Sequence, residues 1–210
     1  MSLLACAPAV GGVSFGVRAF VSNGPGGSSS EDTDYGGVPG FYSASVSGTA
    51  VTSATANLNW QASSVTFTGT AIGDTGASAP WAESTFLASC TIAVASNVTI
   101  TWSMADLAAA GNDVSWVIND GAADIFGVAY LQSGATPSVT FVGVPAAATS
   151  GTFTSTSALA PGTYLIGMVG TANQGGGNMS MSVAFTPVPA PGALVALGMA
   201  ALGSRRRRRI

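Results

Sequence analysis

The 210-residue chain contains no histidine and no lysine. Nucleophilic catalysis through a Ser-His-Asp or Cys-His arrangement is thereby excluded, and so is Schiff-base chemistry on a lysine. Arginine is nearly as scarce. Arg18 stands alone in the first 204 positions, and the other five basic residues are packed into Arg205, Arg206, Arg207, Arg208 and Arg209. Charged residues make up 7% of the chain, against roughly 25% in ordinary soluble domains, so helices faced with salt bridges are not what this composition builds. Cysteine occurs twice, at Cys6 and Cys90, too seldom for a disulfide framework and without metal-site spacing. The reading is a buried free thiol at Cys90 and an incidental Cys6, the alternative being a bridge between them in an oxidising envelope compartment.

All nine acidic residues precede the arginine run. With Arg18 as its one base, the body up to residue 204 carries a net charge of 1 − 9 = −8. Such a body repels phosphate backbones, which excludes nucleic acid as a partner despite the basic tip. The amino terminus, "MSLLACAPAV", lacks a basic n-region, and Pro8 interrupts its short apolar stretch, so it does not form a secretory signal. A reading frame that begins too late is the expectation there.

What the chain does have is Gly, Ser, Thr, Ala and Asn, a composition of short strands and polar turns. From Phe41 onward the apolar residues recur with period two. In "NVTITWSM" Val98, Ile100, Trp102 and Met104 take one phase and Thr99, Thr101 and Ser103 the other. That alternation predicts a strand with one face buried and the other in water.

The same phase assigns inward positions to Leu58, Trp60 and Ala62, to Val65 and Phe67, and to Phe86, Cys90, Ile92 and Val94. It does so again for Val114, Trp116 and Ile118, for Tyr164, Ile166 and Met168, and for Met179, Met181, Val183 and Phe185. Turn sequences such as "INDGAAD" and "APGTY" separate these segments, Gly admitting positive φ and Pro161 presetting φ before Gly162. Eight to ten strands so spaced predict an all-β fold, an antiparallel β-sandwich or jelly roll over residues 41–186. Residues 1–40 are read as an N-terminal strand followed by a flexible Gly/Ser/acidic loop over residues 22–40. In "SMADLAAAGND" a single helical turn is expected, capped by Ser103 with Asp106 three residues on and stopped at Gly111.

The run "VTITWSM", "INDG", "LAPGTYLIGMVG" and "MSMSVAF", across Thr85 to Phe185, resembles the jelly-roll domains of many bacterial secreted proteins. That likeness implies a fold and no activity.

After Phe185 the composition changes. Pro187, Pro189 and Pro191 alternate, which favours an extended linker. The apolar run from Gly192 to Ser204 would span about 20 Å as a helix, short of the roughly 30 Å of bilayer hydrocarbon. Five arginines directly behind it fit a short transmembrane helix with its C-terminus on the cytoplasmic side. Pro189, Ala190, Pro191 and Gly192, the short Leu/Ala/Gly run and Arg205 to Arg209 together resemble the PEP-CTERM family of C-terminal sorting signals, over residues 187–210. Ala190 departs from the Glu of the name-giving motif. The resemblance implies an exported precursor held transiently at the inner membrane and processed by an exosortase-type enzyme. The mature body would then reside at the cell surface or in an exopolysaccharide or biofilm matrix.

Other sites are read from residue type. Glu31, Asp32 and Asp34, amid Gly and Ser, offer oxygen ligands of the kind Ca²⁺ prefers; the alternative is a solvated acidic loop. Trp60, Trp102 and Trp116 fall in the apolar phase and are core, whereas Trp81, in the Pro-containing loop "ASAPWAES", is the candidate exposed carbohydrate contact. The expected function is a non-enzymatic, exported structural protein of the matrix with a polysaccharide as partner. A carbohydrate-binding module is the alternative, and a glycoside hydrolase with two facing carboxylates is a third reading.

Overall fold

The computed structural model describes residues 15–24, 27–48, 51–74, 80–109, 112–133, 136–146, 148–173 and 175–189. Among them run thirteen strands and one short helix. The first five strands are β1 (Gly16–Ser22), β2 (Ser29–Tyr35), β3 (Gly40–Ser47), β4 (Ser53–Gln61) and β5 (Ser64–Gly73). Then come β6 (Trp81–Ile92), β7 (Ser96–Ser103), helix α1 (Ala105–Ala109), β8 (Asp113–Asn119) and β9 (Asp124–Ser133). β10 (Thr136–Val142), β11 (Ser150–Thr154), β12 (Gly162–Ala172) and β13 (Gly175–Pro187) complete the chain.

These strands form two antiparallel sheets. A seven-stranded sheet has the order β10-β9-β8-β12-β6-β1-β2, and a six-stranded sheet the order β11-β7-β13-β5-β4-β3. The inward phase predicted from period two is buried at every named position except two. Ala62 lies exposed in the turn after β4, and Val94 is 51% exposed just beyond β6. Alternation continues past the strand in both places, by one residue at Ala62 and by two at Val94, and the chain turns before either can reach the core.

Four aromatic pairs join one sheet to the other: Phe67 with Phe86 at 4.5 Å between ring centroids, Trp102 with Trp116 at 5.0 Å, Phe126 with Phe153 at 5.3 Å, and Tyr164 with Phe185 at 5.6 Å. Each contributes about 0.5–1.5 kcal/mol beyond its area burial. Polar side chains stitch β4 to β6 as well. Trp60 Nε1 donates to the Ser89 carbonyl at 2.7 Å, and the buried Ser84 hydroxyl donates to the Thr55 carbonyl at 2.6 Å.

Three expectations change. Residues 22–40 are not a loop throughout, because Ser29–Tyr35 forms β2 and pairs with β1 over seven positions. β1 in turn pairs with β6, so the sandwich begins well before residue 41. The helical turn exists, but Ser103 belongs to β7 and the Met104 carbonyl takes the first helical bond, from Ala108 N–H at 3.1 Å; Gly111 lies outside the described residues. Cys90 is a buried free thiol, pushed up to about 12 by burial, and its sulfur faces the Gln61 carbonyl at 3.7 Å. Cys6 lies outside the described residues.

Candidate functional site

The body's one base organises the outer face of the seven-stranded sheet. In β1, Val17, Ala19 and Val21 point into the core, so Arg18 and Phe20 point away from it. Arg18 donates from Nε to Glu31 at 3.0 Å and from Nη1 to Glu83 at 2.7 Å. Glu31 in β2 and Glu83 in β6 both pair in register with Phe20, so the two acids flank β1 and the guanidinium spans the strand between them. The guanidinium also sits 4.7 Å from the Phe20 ring centroid, a cation–π contact.

Glu83 is 5% exposed, and burial lifts its carboxyl above the usual range more strongly than Arg18 draws it down. Two carboxylates tied to one cation make an ion triad that holds three strands, not a free acid and base.

Trp81 corrects its predicted setting. It is the first residue of β6, pairs with Ser22, and is half-buried with its ring 4.8 Å from that of Phe20. Phe20 itself was not singled out in the sequence, because outward aromatics carry no periodic signal of their own.

The acidic segment also differs from expectation. Alternation along β2 sends Glu31 to one face and Asp32 and Asp34 to the other. Asp34 Oδ2 accepts the Ser43 backbone N–H at 2.9 Å, and Asp32 Oδ2 accepts that of Ser45 at 2.7 Å. Both donors belong to β3, the edge of the six-stranded sheet. The two aspartates therefore close an otherwise open edge, a position where unpaired backbone groups invite pairing with another chain. Among the described residues no group of three or more His, Cys, Asp or Glu side chains is gathered to hold a metal ion.

The outer face of the six-stranded sheet is built differently. Register places Ser43, Asn57, Thr68, Ser180, Ser103 and Ser150 in one row across all six strands. The next row is Phe41, Asn59, Thr66, Ser182, Thr101 and Thr152, and the one after it runs Gln61, Ser64, Ala184, Thr99 and Thr154. None of these positions is charged. Rows of hydroxyls and amides thus repeat at about 4.8 Å between strands and about 6.7 Å along them.

Neighbouring hydroxyls hold one another. Thr101 and Thr152 lie 3.1 Å apart, Thr99 and Thr154 3.1 Å apart, and the Ser43 hydroxyl donates to Asn57 Oδ1 at 2.8 Å. Each hydroxyl is both donor and acceptor, so the surface can exchange hydrogen bonds with water or with another hydroxylated surface without a charge to desolvate.

At the carboxyl end Pro189 is exposed. Ala190, Pro191, Gly192 and Arg205, Arg206, Arg207, Arg208 and Arg209 lie outside the described residues. Among the described residues no helix is long and apolar enough to cross a membrane. Compared with protein-family models, with curated proteins and with solved structures, the chain matches none.

Proposed function

We propose that this chain is an exported structural protein of a polysaccharide-rich surface or matrix, which meets neutral polysaccharide through the outer face of its six-stranded sheet. The observation that carries the reading is the uncharged, largely Ser/Thr/Asn surface that runs in rows across the sheet, broken at Phe41 and Ala184, in a body of net charge −8. A hydroxyl-bearing polymer can replace the water on such a face bond for bond, and no ion has to be stripped of solvent. The strands β5-β13-β7-β11 and β6-β12-β8-β9 follow the jelly-roll order, with β1 to β4 and β10 added at the edges. The PEP-CTERM-like tail adds export, transient membrane residence and removal by an exosortase-type enzyme.

Two measurements test this. In native gels containing dextran, galactomannan or hydroxyethyl cellulose, the full chain is expected to be retarded by at least one neutral polymer, and a Thr99→Glu/Thr101→Glu variant to migrate freely. Retardation by none of them would overturn the polysaccharide reading. For export, intact mass of the protein recovered from its host is expected to show a chain ending near Pro189 to Gly192. A full-length chain still carrying Arg205 to Arg209 in the cytosolic fraction defeats it.

A further inference from the structure

One part of the uncharged face is hollowed. A cleft of about 340 Å³ opens where α1 overhangs β13, with Asn57, Thr70, Ser103, Asp106 and Asn178 in its lining. The overhang depends on a missing side chain, because a Cβ on Gly177 would sit 2.2 Å from that of Asp106. Bare backbone there lets the helix bring a carboxylate, the one charge of the lining, onto an otherwise neutral surface. Asp106 Oδ2 accepts the Asn178 backbone N–H at 3.4 Å.

The two amides are oriented by their neighbours. Thr70 Oγ1 donates to Asn178 Oδ1 at 2.9 Å, and the Ser43 hydroxyl donates to Asn57 Oδ1 at 2.8 Å. With one donor already on each amide oxygen, Asn57 and Asn178 can donate from Nδ2 and still accept through the second lone pair. The cleft therefore combines an acceptor-only carboxylate, two amide donors and hydroxyls that do both.

That combination selects its ligand class. Adjacent hydroxyls on a sugar ring donate to the carboxylate and accept from the amides at once. An anionic sugar meets Asp106 and the acidic body, and a cation finds a single carboxylate where it needs several. We propose that this cleft binds a neutral sugar unit of a polysaccharide, with Asp106 accepting its hydroxyl hydrogens and Asn57 and Asn178 donating to its oxygens. The inference rests on the polysaccharide reading of the face and adds to it a defined site.

The test titrates the ¹⁵N-labelled full chain with cellohexaose, mannohexaose and maltohexaose, and with a galacturonate hexamer as the anionic control. Amide shifts are expected around Thr70, Asp106 and Asn178 with at least one neutral oligomer and none with the galacturonate. Asp106→Ala and Asn178→Ala are each expected to weaken that binding about tenfold or more, the loss of one or two strong hydrogen bonds. Both positions are exposed, and an unchanged far-ultraviolet spectrum confirms that each variant is folded. Shifts that gather elsewhere on the face, or unchanged affinity in both variants, would overturn the cleft while leaving the polysaccharide reading intact. If no neutral polymer or oligomer binds the unaltered chain, both fall together.

Discussion

Arg18→Ala is expected to lower stability by about 3–5 kcal/mol at neutral pH, because it strands the buried Glu83 carboxylate without its cation. Glu83 keeps only 5% of its surface in water. Glu31, the other partner, has its side chain 45% exposed, so its loss of Arg18 adds little. The pH dependence follows from the sign of the Glu83 shift. Burial already holds that carboxyl above its ordinary value in the folded protein, so the folded state favours the protonated form. The stability it contributes is complete below the unfolded-state pKa and is lost as pH rises through the folded one. Removing Arg18 raises the folded value further. The variant's deficit should therefore widen from pH 4 to pH 8 and narrow in acid. Urea unfolding at both pH values checks this, with Arg18→Ala/Glu83→Gln alongside; the double variant should recover most of the loss and flatten the pH dependence. A deficit below 1 kcal/mol, or one equal at both pH values, is incompatible with a buried ionised Glu83.

Phe67→Ala should cost a similar amount, about 3–5 kcal/mol, by a different route. Phe67 is wholly buried in the middle of β5, and its ring meets that of Phe86 from the opposite sheet at 4.5 Å and 32°. Removing it takes away the transfer free energy of the ring and leaves a void that the strands of two sheets, each fixed by its ladder, cannot close. Thr66→Ala, one residue away on the outer face, should change stability by less than about 0.5 kcal/mol. A double-mutant cycle with Phe86→Ala should return a coupling of about 0.5–1.5 kcal/mol. Comparable losses at positions 66 and 67, measured by chemical denaturation, would mean that the two phases of β5 are not inside and outside.

Much of this architecture is legible in the sequence because burial is one-sided. Leu58, Val65, Ile100 and Met181 mark their strands by alternating with small polar residues, and all are buried. β2 is illegible for the complementary reason. "SSEDTDY" has no apolar phase, since an edge strand held by its ladder to β1 and by two aspartates to β3 buries almost nothing of its own. The polar face was half legible. Thr99, Thr101 and Ser103 announce an outward phase, but periodicity within one strand does not reveal which residues of six strands share a row. That knowledge lies in the register, and the register depends on contacts as distant as Thr70 with Asn178. The cleft needed one more fact that no local pattern holds, the approach of α1 to the bare backbone at Gly177.

The position of β13 bears on how the fold would meet a pull from its carboxyl end. The last strand among the described residues lies between β5 and β7, paired with the first over ten positions and with the second over eight, and Val188 N–H adds one more bond to the Ala95 carbonyl at 2.9 Å. Antiparallel ladder bonds run perpendicular to the strands, so tension applied through the carboxyl end pulls along β13 and shears both ladders together. An edge strand such as β11 sets one ladder of five paired positions against the same axial pull. Resistance of this kind is set by the unfolding rate rather than by equilibrium stability. The sandwich thus meets a pull from its carboxyl end with a strand clamped on both sides.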